Sequence, residues 1–184
     1  GIGQVVDAAN NRPDRNHTWT LVTSDRGHLL GEHGLIGRRS FLAGAVEVPV
    51  IIAASLQGPR PTPQHDDGLI STVDVAATIG ALSGADLSPG VAGRSLLPVF
   101  SGNSVLPSLP GGALSEFNDR LMLETERFKI VFERTRRRCL GLFDRLNDPD
   151  EKHNLVDSEM GRNVVDSLRC RLADALLPLR AAAW

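Results

Sequence analysis

At 184 residues the chain has room for a sizeable core and a small appendage. Its 41% hydrophobic and 23% charged residues are ordinary for a globular protein, and 4% aromatics with no Tyr call for an aliphatic interior. A net charge of -2 argues against an overall footprint for nucleic acid, two cysteines are too few for a disulfide framework, and the sequence contains neither a membrane-spanning apolar run nor a basic-then-apolar leader.

Gly1 to Ala9 places Ile2, Val5, Val6 and Ala9 on one helical face with no capping residue before them, so it reads as the end of an amphipathic helix and the chain begins inside an element. Asn10 to Asp14 is turn chemistry leading through His17 to Trp19–Thr23. That apolar, β-branched run reads as a buried strand delivering Asp25 to its C-terminal end, where open α/β sheets bind ligands. From there to Arg39, Asp25, His28, Glu32 and His33 stand among Gly27, Gly31, Gly34 and Gly37, so carboxylate and imidazole donors lie on backbone that can turn sharply. Two readings fit this loop: a metal or anion site, and a solvated polar loop whose Asp caps a turn. Ser40 to Val46 is a short helical turn, and Val48 to Ala54 a second buried strand with Pro49 near its start.

Gln57 to Gly68, with three prolines and His65-Asp66-Asp67, reads as an exposed loop. Thr72 to Leu82 is a core-facing helix with Val75, Ile79 and Leu82 on its apolar face, Ser71 or Thr72 as N-cap and Gly84 at its end. Ser88 to Gly112 is rich in Pro, Gly and Ser and contains the boundary to a second unit, dividing the chain into residues 1–105 and 106–184. Beyond it, Ala113–Phe117, Leu121–Thr125, Phe128–Glu133 and Leu140–Asp144 read as an antiparallel sheet, with the basic run Arg134 to Arg138 as a solvated hairpin. Asn147 to Asp150 is a turn, and Val164, Leu168, Leu172, Ala175, Leu176 and Leu179 stand at helical spacing on a closing helix. The change from parallel-type βα units to hairpins and one helix predicts an α/β layer followed by a small α+β unit.

Five stretches carry a resemblance. Thr23-Ser24-Asp25-Arg26-Gly27 through His33-Gly34-Leu35 to Arg38 is similar to the T-S-D-[HN]-G-x-x-x-G-x-H-G-L-x-x-K segment of sulfatases, members of the alkaline-phosphatase-like superfamily. In the same order follow Val48-Pro49-Val50-Ile51-Ile52, Val73-Asp74-Val75-Ala76-Ala77-Thr78-Ile79, Gly93-Arg94-Ser95-Leu96-Leu97-Pro98, and Leu142-Phe143-Asp144 to Asp148-Pro149-Asp150-Glu151 and Asn154-Leu155, the last with Arg145 where the family pattern has Leu. The chain resembles the C-terminal portion of such an enzyme, of the arylsulfatase, choline-sulfatase or phosphonate monoester hydrolase type. The resemblance implies part of the alkaline-phosphatase-like sheet with flanking helices, then the small α+β unit. The C/S-x-P-x-R segment, whose Cys or Ser becomes formylglycine in the family, is absent, and neither Cys139 nor Cys170 has its surroundings.

The resemblance implies hydrolysis of a sulfate ester, or of a related anionic small molecule, by a formylglycine nucleophile and a divalent metal, usually calcium. The nucleophile and the paired metal-binding aspartates would come from a missing N-terminal portion. It places Asp25 among the metal ligands, His33 as a proton or hydrogen-bond donor, and Arg38 where the family has a lysine that contacts sulfate. Position 26, a His or Asn ligand in the family, is Arg here; a guanidinium only donates and carries a fixed positive charge, so Arg26 pairs with Asp25 instead of ligating a cation. Arg38 suits bidentate oxyanion binding but is a poor proton donor. One Asp cannot hold a hard cation alone. Three readings follow: part of an active sulfatase, a non-catalytic anion-binding homologue, and a C-terminal interaction or substrate-capping module.

Overall fold

The chain folds into two compact units, residues 1–40 with 44–64 and residues 41–43 with 65–184. The computed structural model describes residues 1–54, 68–85, 93–100 and 111–181. The proline-rich loop expected around 57–68 and the expected 105/106 boundary fall largely or wholly outside the described residues.

In the first unit, helix α1 (Ile2–Asn10) has no buried residue: on its expected apolar face Ile2 and Val5 are exposed, and Val6 and Ala9 are half-buried. Strand β1 (Trp19–Thr23) pairs with β4 (Val50–Ala54) in antiparallel register, from Trp19 opposite Ala54 to Thr23 opposite Val50. This corrects the parallel expectation. A parallel pair needs a crossover, usually a packed helix. Here the connection is spent on a small hairpin, β2 (Leu29–Leu30) with β3 (Ile36–Gly37), and on the four-residue helix α2 (Ala43–Val46). Nor are the strands buried as their composition predicts: β1 is only half-buried and Ile51 on β4 is 59% exposed, because each has one partner among the described residues.

In the second unit, α3 (Thr72–Ser83) starts and stops where its sequence says. Ser71 and Asp74 form a capping box, with Ser71 N–H donating to Asp74 Oδ2 at 3.0 Å, and Gly84 closes the helix at φ 67. Its buried face differs from the expected one. Ile79 is 52% exposed, whereas Asp74, Val75, Ala77 and Thr78 are buried. The reason lies in the Gly93-Arg94-Ser95-Leu96 stretch, which seats its backbone on polar side chains of the helix: Arg94 N–H donates to Asp74 Oδ1 at 2.7 Å and Leu96 N–H to Thr78 Oγ1 at 2.9 Å. Gly93 permits the approach, since a Cβ there would stand 2.0 Å from Val73 O. Helix α4 (Leu97–Phe100) follows.

Four strands, β5 (Ala113–Phe117), β6 (Arg120–Glu124), β7 (Phe128–Glu133) and β8 (Arg138–Asp144), then form the expected antiparallel meander. Helix α5 (Glu159–Ala181) closes one face, with Ser158 Oγ accepting the Gly161 N–H at 3.0 Å. The core is Leu121, Leu123, Ile130 and Leu142 from the sheet against Leu168 and Leu172 from the helix, each burial stabilising by about 1.5–3 kcal/mol. The opposite face of β6 and β7 is buried too, and holds Met122, Glu124 and Lys129.

The Asp144 to Leu155 motif serves this sheet. Asp144 Oδ1 accepts the N–H groups of Leu146 and Asn147 and so folds the turn after β8. Asn154 Oδ1 accepts Leu142 N–H at 3.0 Å, and Leu155 N–H donates to Leu142 O at 2.8 Å, which covers the edge strand next to the register shift between Val131 and Phe132.

Candidate functional site

The loop after β1 is shaped by its glycines and by one carboxylate. Gly27 packs directly on α2: its N–H donates to Ala45 O at 3.0 Å, and a Cβ there would stand 2.2 Å from Gly44 O. No other residue fits without moving the loop. Glu32, an oxygen donor on sequence grounds, is spent on the hairpin. Its Oε2 accepts Leu30 N–H at 2.5 Å, and the backbone N–H groups of Glu32 and Leu30 hold its carboxyl below the usual carboxylate range. The hairpin tip runs Gly31 (φ 133), His33 (φ 55) and Gly34 (φ 70), and His is among the residues that enter the left-handed region more readily.

Asp25 lies just beyond β1, with Arg26 Nε 3.6 Å from its Oδ2; both side chains are open to solvent, at 81% and 51%. The pairing expected from the sequence is therefore formed. His33 sits at the exposed tip of the hairpin, whereas Arg38 follows Gly37, which pairs with Leu29 near the hairpin's base. The structure thus places Asp25 with Arg26, and His33 and Arg38 at opposite ends of one hairpin. Among the described residues no group of three or more His, Cys, Asp or Glu side chains is arranged to hold a metal ion. A hard cation takes about six to eight oxygen ligands, and Asp25 offers one carboxylate already facing a fixed positive charge. Among the described residues, Asp25 and its neighbours do not fit the ion by themselves.

Ser24 was not among the expected site residues. Its hydroxyl donates to Arg26 O at 2.8 Å and ties the turn that carries Asp25, which a Ser-Asp pair directly after a strand could have signalled.

The first unit is thus a small mixed α/β unit with antiparallel pairing and a glycine-rich loop carrying Asp25 and Arg38, and the second a meander with a closing helix. Comparison with known proteins narrows this. The family model described as Sulfatase matches residues 1–85. An uncharacterized sulfatase of Escherichia coli (strain K12), YidJ, is 29% identical over 205 residues, covering 100% of this chain and 37% of that protein. Among solved structures, BT4656 in complex with its substrate D-glucosamine-2-N,6-O-disulfate superposes with a TM-score of 0.85 at 20% identity, over 98% of this chain and 38% of that one. The phosphonate monoester hydrolase SpPMH of Silicibacter pomeroyi superposes with a TM-score of 0.79 at 20% identity, over 96% and 38%. The chain is similar in sequence to sulfatases and shares part of the fold of these solved structures, and it spans less than half the length of these relatives.

Proposed function

We propose that this chain is part of a sulfatase-type hydrolase, and that its loop from Ser24 to Arg38 supplies the oxyanion-recognising side of a site for a sulfate ester or a related anionic ester. The observation that carries the reading is the family match, which spans the whole loop. Arg38 offers a planar fork of donors to the oxygens of a sulfate group, and His33 an imidazole that can donate a hydrogen bond or a proton. Arg26 takes the place beside Asp25 that a cation ligand holds in the family pattern, so the charge facing an anion there is a guanidinium. No step is assigned to a metal or to a nucleophile within this chain, whose residues include no C/S-x-P-x-R segment.

The test is a titration of the chain with inorganic sulfate, followed by the amide resonances of the loop. Saturable shifts around Gly37 and Arg38, equal in calcium and in EDTA and abolished by Arg38→Ala, are expected. Binding that requires calcium would overturn the anion reading. The chain by itself should release no sulfate from an aryl sulfate, and turnover lost in Asp25→Ala would show that it holds a complete site.

The likeness to a phosphonate monoester hydrolase supports a second reading, in which the ester is a phosphonate. Tighter binding of methylphosphonate than of sulfate in the same titration would favour it.

A further inference from the structure

One end of the second unit's sheet carries chemistry that the proposed function leaves unused. Phe117, Arg120, Glu133 and Arg138 stand directly opposite one another on β5, β6, β7 and β8, so their side chains form one row across all four strands. Leu121, next to Arg120, points into the apolar core, so the row lies on the face away from α5. Phe117 is 40% exposed, and Arg120 and Arg138 are exposed as well. Phe117, Arg120 and Glu133, with Asn118 and Asp119 of the β5–β6 turn, line a cavity of about 310 Å³, a size that holds small ligands.

The rim of this cavity is fixed. Asp119 O accepts Arg134 N–H at 2.9 Å, and both Asp119 carboxylate oxygens accept Thr135 N–H at 3.1 Å. Arg134 also donates to Asn118 O at 2.8 Å and pairs with Glu116 at 2.6 Å, so the β5–β6 and β7–β8 turns are laced together. Glu133 is less well served. Its side chain is 17% exposed, and Oε2 is buried with no hydrogen-bond partner among the described residues, Arg136 Nε standing 4.0 Å away. A buried acceptor without a donor is costly, and a hydroxyl or N–H entering the cavity supplies one. Around it the charge is positive. Glu116 and Glu133 face Arg134 and Arg136, Asp119 is taken up by the turn, and Arg120, Arg137 and Arg138 form no ion pair among the described residues. Their guanidinium forks are open to oxyanions, on a protein whose net charge is -2.

The combination selects among anions. An inorganic oxyanion has no use for an aromatic ring or for the acceptor oxygens of Asn118 and Glu133, and a nucleic acid would bring phosphates against Glu133 and Asp119. A sugar ring offers hydroxyl donors to Glu133 and an apolar C–H face to Phe117, and its sulfate esters suit the arginines. We propose that this end of the meander is a binding site for one ring of a sulfated oligosaccharide, with Glu133 and Phe117 on the ring and Arg120 and Arg138 on its sulfates. The choice of sulfate rests on the proposed function, whereas the site itself does not use the Ser24 to Arg38 loop.

The whole chain, titrated with a heparin hexasaccharide and followed by its amide resonances, tests this. Saturable shifts at Asn118, Arg120 and Glu133 are expected, weakened about tenfold by Arg120→Ala or Arg138→Ala and about threefold by Phe117→Ala. Glu133→Ala separates a built site from a merely basic surface. Removing a carboxylate strengthens anion binding to such a surface, but here the loss of the acceptor should weaken the hexasaccharide about fivefold. If an alanine variant disturbs the amides of Leu123 and Ile130, Arg120→Lys and Arg138→Lys, which keep the charge and lose the fork, carry the same comparison with a smaller loss. Tighter binding in Glu133→Ala, equal binding of a DNA oligonucleotide of the same charge, or no shift at these amides would each overturn the proposal. So would hexasaccharide shifts confined to Gly37 and Arg38 and lost in Arg38→Ala. Inorganic sulfate that fails to shift Gly37 and Arg38 counts against the proposed function and leaves the saccharide site standing.

Discussion

The loop at Asp25 and the sheet end at Lys129 pair the same kinds of side chain in opposite surroundings. Asp25 and Arg26 meet at 3.6 Å in solvent, at 81% and 51% exposure; Lys129 and Glu151 meet at 2.5 Å with 0% and 2% exposed. An exposed pair is worth about 0–1 kcal/mol and exchanges readily for water or a ligand. Buried charges must keep their partners, because removing one strands the other in a medium that solvates it poorly. The first pair is available to chemistry, and the second is committed to the fold.

The largest effect should come from breaking the buried side. Lys129→Met removes the buried cation that faces both Glu124 and Glu151, and should cost about 3–5 kcal/mol by urea unfolding. A cost near zero would mean that the cluster is solvated and the contrast fails. Leu142→Ala, in the apolar core on the other face of the sheet, should cost about 2–5 kcal/mol, and the two variants together compare charge with packing as supports of one sheet.

A pH titration sharpens the comparison. Burial pushes the Asp144 carboxyl up, but the side-chain amide of Asn147, the guanidinium of Arg127 and the Asn147 backbone N–H outweigh it, so the net shift is downward. A carboxyl depressed in the folded state adds stability that is present above its unfolded value, about 3.9, and is lost as pH falls through the folded one. The stability difference between the wild type and Asp144→Asn should therefore be constant near neutrality and shrink below about pH 4. A difference that grows with acid would reverse the sign.

The smallest effect belongs to the exposed side. Asp25→Ala and Arg26→Ala should each change stability by less than about 1 kcal/mol, while Arg26→Ala weakens sulfate binding. Loss of several kcal/mol in either would show the pair to be part of the fold.

Much of the molecule was legible because the signals are local. Ser71 and Gly84 mark the ends of α3, alternation and charged turns mark β5 to β8, and the spacing of Val164, Leu168 and Leu172 marks α5. The pairing of Asp25 with Arg26 was likewise readable, since the two are neighbours in sequence. Ile79 was misplaced because periodicity detects an apolar stripe and misses a polar one, and Asp74 with Thr78 take the buried face of α3 to receive the backbone at Arg94 and Leu96.

By itself, then, the sequence determined the elements, the order of the motifs and the chemistry of the loop, all set by residues within a few positions of one another. Tertiary structure alone decided that β1 and β4 run antiparallel, that Lys129 is buried, and that Glu151 reaches Ala43. Each of these depends on groups brought together from distant parts of the chain, and burial, which sets the worth of a charge, is a property of that company and not of the residue.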